Sequence, residues 1–155
     1  MNEGPFILDR TLRLPGSPAD VFPFFSDAGN LEAITPPWLH FRIVTPQPIK
    51  MCEGALIDYR LRLRGIPIKW RTRICLWNPP YEFIDEQISG PYKKWVHLHT
   101  FEADGNETIC KDHIDYHPIG GRLVDKFFVK PDLKKVFDYR QEQLRKLLMP
   151  ETIGS

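Results

Sequence analysis

The stretch PDLKKVFDYRQEQLRKLL, from Pro131 to Leu148, decides the fold that we expect for this chain. Pro131 suits the first turn of a helix because its missing N–H would have no partner there, and Asp132 places a carboxylate near the positive end of the helix dipole. Apolar residues recur at spacings of three, four and seven, with charged residues opposite them. The pattern predicts one amphipathic helix with a buried stripe of Leu133, Val136, Phe137, Leu144, Leu147 and Leu148.

Arg140 interrupts this apolar stripe, between Phe137 and Leu144. An unpaired charge inside a protein is prohibitively costly, so the guanidinium must meet a carboxylate, water or a ligand in the interior. The exception indicates that the surface covered by this helix is not purely apolar.

Before this helix, apolar and polar residues alternate in segments that are typical of half-buried strands. Short turn signals such as Gly65-Ile66-Pro67 and Asp104-Gly105 favour antiparallel pairing of neighbouring strands. Arg10 is a charged residue on the otherwise apolar face of the first predicted strand. The seven predicted strands are Phe6–Leu14, Phe41–Val44, Ala55–Arg64, Ile68–Trp77, Tyr81–Ile88, Lys93–Glu102 and Glu107–Tyr116.

Three short helical segments complete the predicted order. Ser17-Pro18-Ala19-Asp20 has the residues of a capped helix start, and a second short helix is expected at Ala28–Ile34. Arg122–Val129 resembles a helical lead-in, after which Pro131 is expected to reset or kink the last helix.

A sheet of this length must bury one face, and the amphipathic helix is the available cover for its concave side. The predicted fold class is therefore α+β: a helix-grip fold in which a curved antiparallel seven-stranded sheet wraps around a long C-terminal helix, with two short helices after the first strand. A chain of 155 residues can bury roughly 70% of its unfolded surface as one domain. We expect a single domain over residues 1–155 with an ordered core of about 6–148.

Composition limits the partners that we expect. The net charge is +1, with 21 basic and 20 acidic residues, so no overall field would draw the chain to nucleic acid or an anionic membrane. No apolar run approaches the ~20 residues of a membrane span, and the N-terminus lacks the pattern of a signal peptide. We expect a hydrophobic small-molecule ligand, no nucleic acid, no stable membrane insertion and no cofactor; the oligomeric state stays open.

The cysteines favour a cytoplasmic protein. Cys52, Cys75 and Cys110 are odd in number and widely spaced, without a CxxC pair. Such a pattern is typical of reduced thiols rather than a disulfide framework.

Four stretches resemble a known group, the START-related polyketide cyclase and ligand-binding superfamily with the Bet v 1-like fold. The resemblance covers about Phe6 to Leu148. It implies an elongated cavity between the sheet and the last helix, and it transfers no catalytic motif residue by residue. The stretches are PADVFPFFSDAGNLEAITPPWLHF (Pro18–Phe41), IDYRLRLRGIPIKWRTRI (Ile57–Ile74), FIDEQISGPYKKWVHLHTFE (Phe83–Glu102) and FDYRQEQLRKL (Phe137–Leu147).

Strand alternation places several polar side chains on the face that we expect to be inside. They could orient a mostly apolar ligand, or they could form a satisfied buried network in which Arg140 pairs with Asp85 or Asp112 and fixes the helix on the sheet. The two interpretations can coexist. The predicted cavity residues are Tyr59, Leu61, Trp70, Thr72, Asp85, Gln87, Trp95, His97, His99, Asp112, Tyr116, Phe137, Arg140 and Leu144.

Two chemical alternatives use the same histidines. The chain could be a cyclase or dehydratase, with His97 or His99 as the base and Asp85 as the orienting group. His97 and His99, two apart on one strand, could also bind zinc with Asp85 or Asp112, but CxxC and HExxH motifs are absent and we predict no metal. Hydrolase and nucleotide motifs (GxSxG, Walker A and GxGxxG) are absent too.

A basic stripe on the outer face of one predicted hairpin offers a third alternative, an interaction module for an acidic protein. Nucleic-acid binding is disfavoured because stacking aromatics are not interleaved with these cations. We expect a solvated ladder in which Glu82 and Glu86 pair across strands. The stripe consists of Arg60, Arg62, Arg64, Lys69, Arg71 and Arg73.

Overall fold

A computed structural model describes residues 6–149; the ends of the predicted domain, 1–5 and 150–155, lie outside the described residues. Seven antiparallel strands form one sheet in the order β1-β7-β6-β5-β4-β3-β2. Consecutive strands β2 to β7 are neighbours, and β1 joins the far edge by pairing with β7. The strands are β1 Phe6–Pro15, β2 Arg42–Ile43, β3 Leu56–Leu63, β4 Ile66–Asn78, β5 Glu82–Ser89, β6 Tyr92–Asp104 and β7 Glu107–Pro118.

Two short helices follow β1, as predicted: α1, Pro18–Ser26, and α2, Asn30–Ala33. The Ser17 hydroxyl accepts from the Asp20 backbone N–H, and the Asp20 carboxylate accepts from the Ser17 backbone N–H, so a reciprocal capping box starts α1. A single 3₁₀ turn, Pro37–Leu39, comes before β2.

The C-terminal helix begins earlier than the opening stretch predicts. Helix α3, Gly121–Val124, passes through a π turn at Asp125–Val129 directly into α4, Lys130–Leu148. The π turn lies where Pro131 was expected to reset or kink the helix. A proline removes one helical hydrogen bond and crowds the carbonyl of the preceding turn, and a widened turn accommodates both effects.

The turn between β3 and β4 is shorter than predicted. Leu63 pairs with Ile66, so Ile66 and Pro67 belong to β4 and only Arg64 and Gly65 form the loop. Both loop residues have positive φ, 51° and 81°. This backbone is that of the two-residue hairpin turn whose twist matches the strands, and the expectation of a Gly65-Ile66-Pro67 turn was therefore wrong.

The buried side chains form two main apolar clusters with a polar layer between them. Along β6, Trp95 belongs to one cluster and Phe101 to the other, with His97 and His99 in between. The same order recurs along α4, where Arg140 separates Phe137 from Leu144. His97 and His99 on β6 and Arg140 on α4 thus form a polar layer across the interior. The candidate site lies at this layer.

Candidate functional site

A cavity of about 190 Å³ lies between the sheet and α4. A smaller cavity of about 60 Å³ adjoins it, and Asp85, His99 and Arg140 line both. Ten of the fourteen predicted residues line the larger cavity. They are Tyr59, Leu61, Trp70, Thr72, Asp85, Trp95, His97, His99, Phe137 and Arg140.

Two stacked histidines form the centre of the polar layer. The rings of His97 and His99 lie 3.7 Å apart at 22°, and each is 5% exposed. Asp112 contacts one edge of the pair, 2.8 Å from His97 Nε2 and 3.4 Å from His99 Nδ1. Asp85 contacts the other edge, 2.6 Å from His99 Nε2 and 3.7 Å from His97 Nδ1. Both rings are thus held between two carboxylates.

The sheet register brings these four side chains together. Asp85 is the β5 partner of His97, and Asp112 is the β7 partner of His99. Cross-strand partners lie about 5 Å apart on the same face, so each carboxylate reaches both rings of the i, i+2 pair. Phe83, the β5 partner of His99, stacks on that ring at 4.0 Å.

Arg140 brings α4 into the polar layer. It is 7% exposed, and its Nη2 lies 3.5 Å from Asp112 Oδ1. The guanidinium carbon lies 5.8 Å from the Phe25 ring centre and 5.9 Å from that of Phe137. The sequence predicts that Arg140 pairs with Asp85 or Asp112. The structure shows a contact with Asp112, and this contact is long.

The charges of the layer shift the ionisation of each member. Burial raises the pKa of Asp112, but the Arg140 charge and the hydrogen bonds from both histidines outweigh burial and hold this pKa well below its usual range. Burial likewise opposes a lower pKa at Asp85, where the His97 charge and the His99 hydrogen bond prevail. Both carboxylates are therefore ionised near neutral pH.

The two histidines shift in opposite directions. Burial and the neighbouring His99 charge lower the pKa of His97. Burial also disfavours charge on His99, but its hydrogen bonds to Asp112 and Asp85 outweigh that effect and raise its pKa. Stacked rings this close cannot easily carry two charges, so a proton taken up by the pair goes to His99 in preference to His97.

Comparisons with known proteins place this fold in a group. The family model described as "Polyketide cyclase / dehydrase and lipid transport" matches residues 14–145. The chain belongs to this polyketide cyclase/dehydrase and lipid transport family. No curated protein matches its sequence significantly.

Solved structures show the Bet v 1-like fold of this family member. Protein CV1439 from Chromobacterium violaceum is 13% identical with a TM-score of 0.74, over 95% of this chain and 100% of that one. Ara h 8.0201 is 15% identical with a TM-score of 0.70, over 96% and 100%. Ginseng major latex-like protein 151 from Panax ginseng is 12% identical with a TM-score of 0.69, over 95% and 100%. These likenesses confirm the predicted helix-grip fold.

Four predicted cavity residues do not line the larger cavity. Asp112 lies behind the histidines and holds them, rather than lining the larger cavity. Gln87 bonds both backbone polar groups of Tyr92, and Leu144 packs in the apolar cluster around Phe22. Tyr116 is buried on β7 and donates its hydroxyl to Asp125 at 2.7 Å. Strand alternation predicts which face of the sheet a side chain occupies. It does not predict whether a cavity or another side chain lies in front of it.

Sequence reasoning missed several lining residues. Leu133, Val136 and Leu63 carried a signal, since each is apolar on a face predicted to be buried. The others lie in or beside irregular segments, where no period marks an inner face, and had no such signal. These are Leu31, Ile34, Thr35, Leu39, Phe41 and Tyr92.

Asp85, His97 and His99 are close enough to be tested as a metal site, because their ligand atoms lie within 4.8 Å of one another. A metal ion is bound in the plane of each imidazole, along the nitrogen lone pair. The two rings are nearly parallel, so their lone pairs point side by side rather than converging. A shared ion would require one ring to rotate and the 2.6 Å His99–Asp85 bond to break.

The basic stripe on the outer face pairs with neighbouring acids at several positions. Arg71 contacts Asp58 at 2.8 Å, Arg73 lies 3.7 Å from Glu86, and Arg64 contacts Asp132 at 3.0 Å. Such exposed pairs contribute at most about 1 kcal/mol each. No helix among residues 6–149 is long and apolar enough to cross a membrane.

Proposed function

We propose that this chain binds a small hydrophobic or amphipathic molecule in the cavity between the sheet and α4. The observation that carries the proposal is the cavity itself, with apolar walls and a buried His–Asp–Arg layer at its side. Pockets of this composition hold a ligand by burial of its apolar surface and orient it through a few polar groups. Membership of a family described by cyclases and lipid transport supports this function.

The volume restricts the ligand to a small molecule. A cavity of ~150 Å³ accepts benzene, so by proportion 190 Å³ accommodates about 8 non-hydrogen atoms, and about 10 if the adjoining cavity is used. Rings suit the walls, because Trp70, Trp95 and Phe137 present aromatic surfaces to this space.

Thermal denaturation with a library of one-ring and two-ring molecules tests the proposal. A ligand at a hundredfold excess over its dissociation constant adds about 2.7 kcal/mol, which raises the Tm of a domain of this size by about 5–11 °C. Val136→Trp should abolish the shift, since Val136 lines the cavity from α4. Lys135→Trp, which adds the same side chain at the exposed neighbouring position, should retain the shift. A silent library, or equal shifts in both variants, would contradict the proposal.

Acid–base catalysis in the same cavity is the second candidate function. It is favoured by the opposite pKa shifts of His97 and His99, since paired groups whose environments separate their pKa values can act as base and acid. Asp85 orients His99 through its 2.6 Å bond. With a substrate in hand, His97→Gln and His99→Gln should each abolish turnover while binding persists. Unchanged turnover in both variants would remove this candidate.

A further inference from the structure

Two buried donors on the cavity wall have no hydrogen-bond partner among the described residues. They are the Trp70 indole Nε1–H and the Arg140 Nε–H. Buried polar groups are nearly always paired, and an unpaired one is destabilising, more so if it is charged. Both side chains line the 190 Å³ cavity, so both donors belong to residues that an occupant would contact.

Arg140 has unused donor capacity at the polar layer. A guanidinium carries five N–H groups, and among the described residues its one recorded bond is the 3.5 Å contact to Asp112. Phe25 and Phe137 offer ring faces rather than acceptors. The Nε–H is thus left without a protein acceptor among the described residues.

Trp70 presents its donor at a different place along the sheet. Its ring packs edge-on against Trp95 at 5.3 Å and against Tyr92 at 5.7 Å. The two donors thus lie on different elements of the cavity wall, Trp70 on β4 and Arg140 on α4.

The charges beside Arg140 select against an anion. Asp85 lines the cavity together with Arg140, and Asp112 already faces the guanidinium. A carboxylate brought to Arg140 would lie next to Asp85 in a space of low dielectric, where repulsion between like charges is strong. A carbonyl or hydroxyl oxygen would accept from Arg140 without that repulsion.

We propose that the ligand is an uncharged molecule with a hydrogen-bond acceptor at each end, one bound by Arg140 Nε–H and the other by the Trp70 indole N–H. This inference rests on the proposed binding function. It makes Arg140 and Trp70 the residues that select ligands of equal size by the number and position of their oxygens.

Four probes of nearly equal size test this selection by calorimetric titration near neutral pH. 4-Hydroxyacetophenone has an acceptor at each end, 4-ethylphenol has one, 4-ethyltoluene has none, and 4-hydroxybenzoate replaces one acceptor by an anion. We expect affinity to rise about 5- to 100-fold from 4-ethyltoluene to 4-hydroxyacetophenone, from two net hydrogen bonds. 4-Hydroxybenzoate should bind more weakly than 4-hydroxyacetophenone.

Trp70→Phe removes the N–H and keeps an aromatic wall. It should weaken 4-hydroxyacetophenone about 3- to 10-fold and leave 4-ethyltoluene unchanged. Trp77→Phe is the matched control, because Trp77 packs on Phe22 and Phe83 instead of lining this cavity. In NMR spectra of the wild type, the Trp70 indole and Arg140 Nε–H proton signals should move downfield with 4-hydroxyacetophenone and not with 4-ethyltoluene.

The outcomes separate this inference from the function beneath it. Equal affinity for all four probes, tighter binding of 4-hydroxybenzoate, or equal effects of Trp70→Phe and Trp77→Phe would overturn the inference and leave cavity binding intact. Failure of every probe to bind would overturn the inference together with the proposed function.

Discussion

His97 and His99 show how two identical side chains on one strand face acquire different chemistry. Each ring touches both carboxylates, but the short bond of His97 is to Asp112 and that of His99 is to Asp85. Asp112 also faces Arg140, which already compensates part of its charge. Asp85 has no recorded bond to Arg140 among the described residues, so less of its charge is compensated. A proton is therefore more favourable on His99, the ring that bonds Asp85 most closely, than on His97.

The two histidines should therefore change stability with pH in opposite directions. The raised pKa of His99 means that its contribution is fully present below the unfolded pKa, about 6.5, and is lost as the pH rises through the folded value. The lowered pKa of His97 means that its contribution is present above about 6.5 and is lost as the pH falls through the folded value.

Urea denaturation across pH can measure both effects. The unfolding free energy of the wild type should decline as the pH rises above about 6.5, and His99→Gln should reduce this decline. It should also decline as the pH falls below about 6.5, and His97→Gln should reduce that decline. Changes of the same direction in both variants would contradict the assigned proton.

Asp112 is the residue on which the polar layer most depends. Asp112→Asn removes the charge that faces Arg140 and leaves both histidines a neutral amide oxygen in place of the carboxylate. Removing one partner of a buried ion pair costs about 3–5 kcal/mol, and the long contact to Arg140 places the expected loss near the lower value. The urea midpoint should fall accordingly. Glu142→Gln, which weakens an exposed pair with Lys146 on α4, should cost less than about 1 kcal/mol. A similar loss in both variants would argue against the layer as described.

At the scale of elements, several polar contacts fix the C-terminal helix on the sheet, and three of them are spaced along its length. Tyr116 donates to Asp125 where the helix begins, Arg140 meets Asp112 near its middle, and Arg10 contacts Asp138 at 2.7 Å along its side. The last contact explains why an arginine interrupts the apolar face of β1. The helix thus keeps its position over the sheet although a cavity separates part of the two surfaces.

The contact at the start of the helix can be tested separately. Tyr116→Phe removes the hydroxyl that donates to the buried Asp125 carboxylate. A hydrogen bond to a charged group contributes about 1.5–3 kcal/mol, so amides of the α3 and π turns should exchange about tenfold faster or more. Tyr81→Phe, at an exposed position, should leave these exchange rates unchanged. Equal exchange in both variants would show that this bond does not hold the helix start.

At the scale of the whole molecule, part of the interior is tightly packed and part is a cavity. Two packed clusters lie on either side of the polar layer, and the 190 Å³ cavity occupies volume that apolar side chains could fill. Cavities of this kind lower stability by about 24 cal/mol per Å³ when they stay empty. A ligand that fills the space would recover part of that loss.

Filling the cavity from the protein side should therefore be tolerated. Leu61→Phe adds carbon atoms to the cavity wall, and its unfolding free energy should equal or exceed that of the wild type while ligand-induced stabilisation decreases. Leu12→Phe makes the same change in a packed cluster and should cost about 1–3 kcal/mol by overpacking. Comparable losses in both variants would show that no usable space adjoins Leu61.

The sequence by itself determined the order of the elements, the helix-grip fold and the inner face of the longer strands, because helical and strand periods are set by local backbone geometry. That is why Asp85, His97, His99 and Arg140 could be predicted to point inward. Only the tertiary structure decided that Asp112 supports the histidines from behind while Asp85 lines the cavity, and that residues such as Phe41 complete its wall. Those distinctions depend on how far α4 lies from the sheet, a distance set by the packing of residues remote in the chain and by no local period.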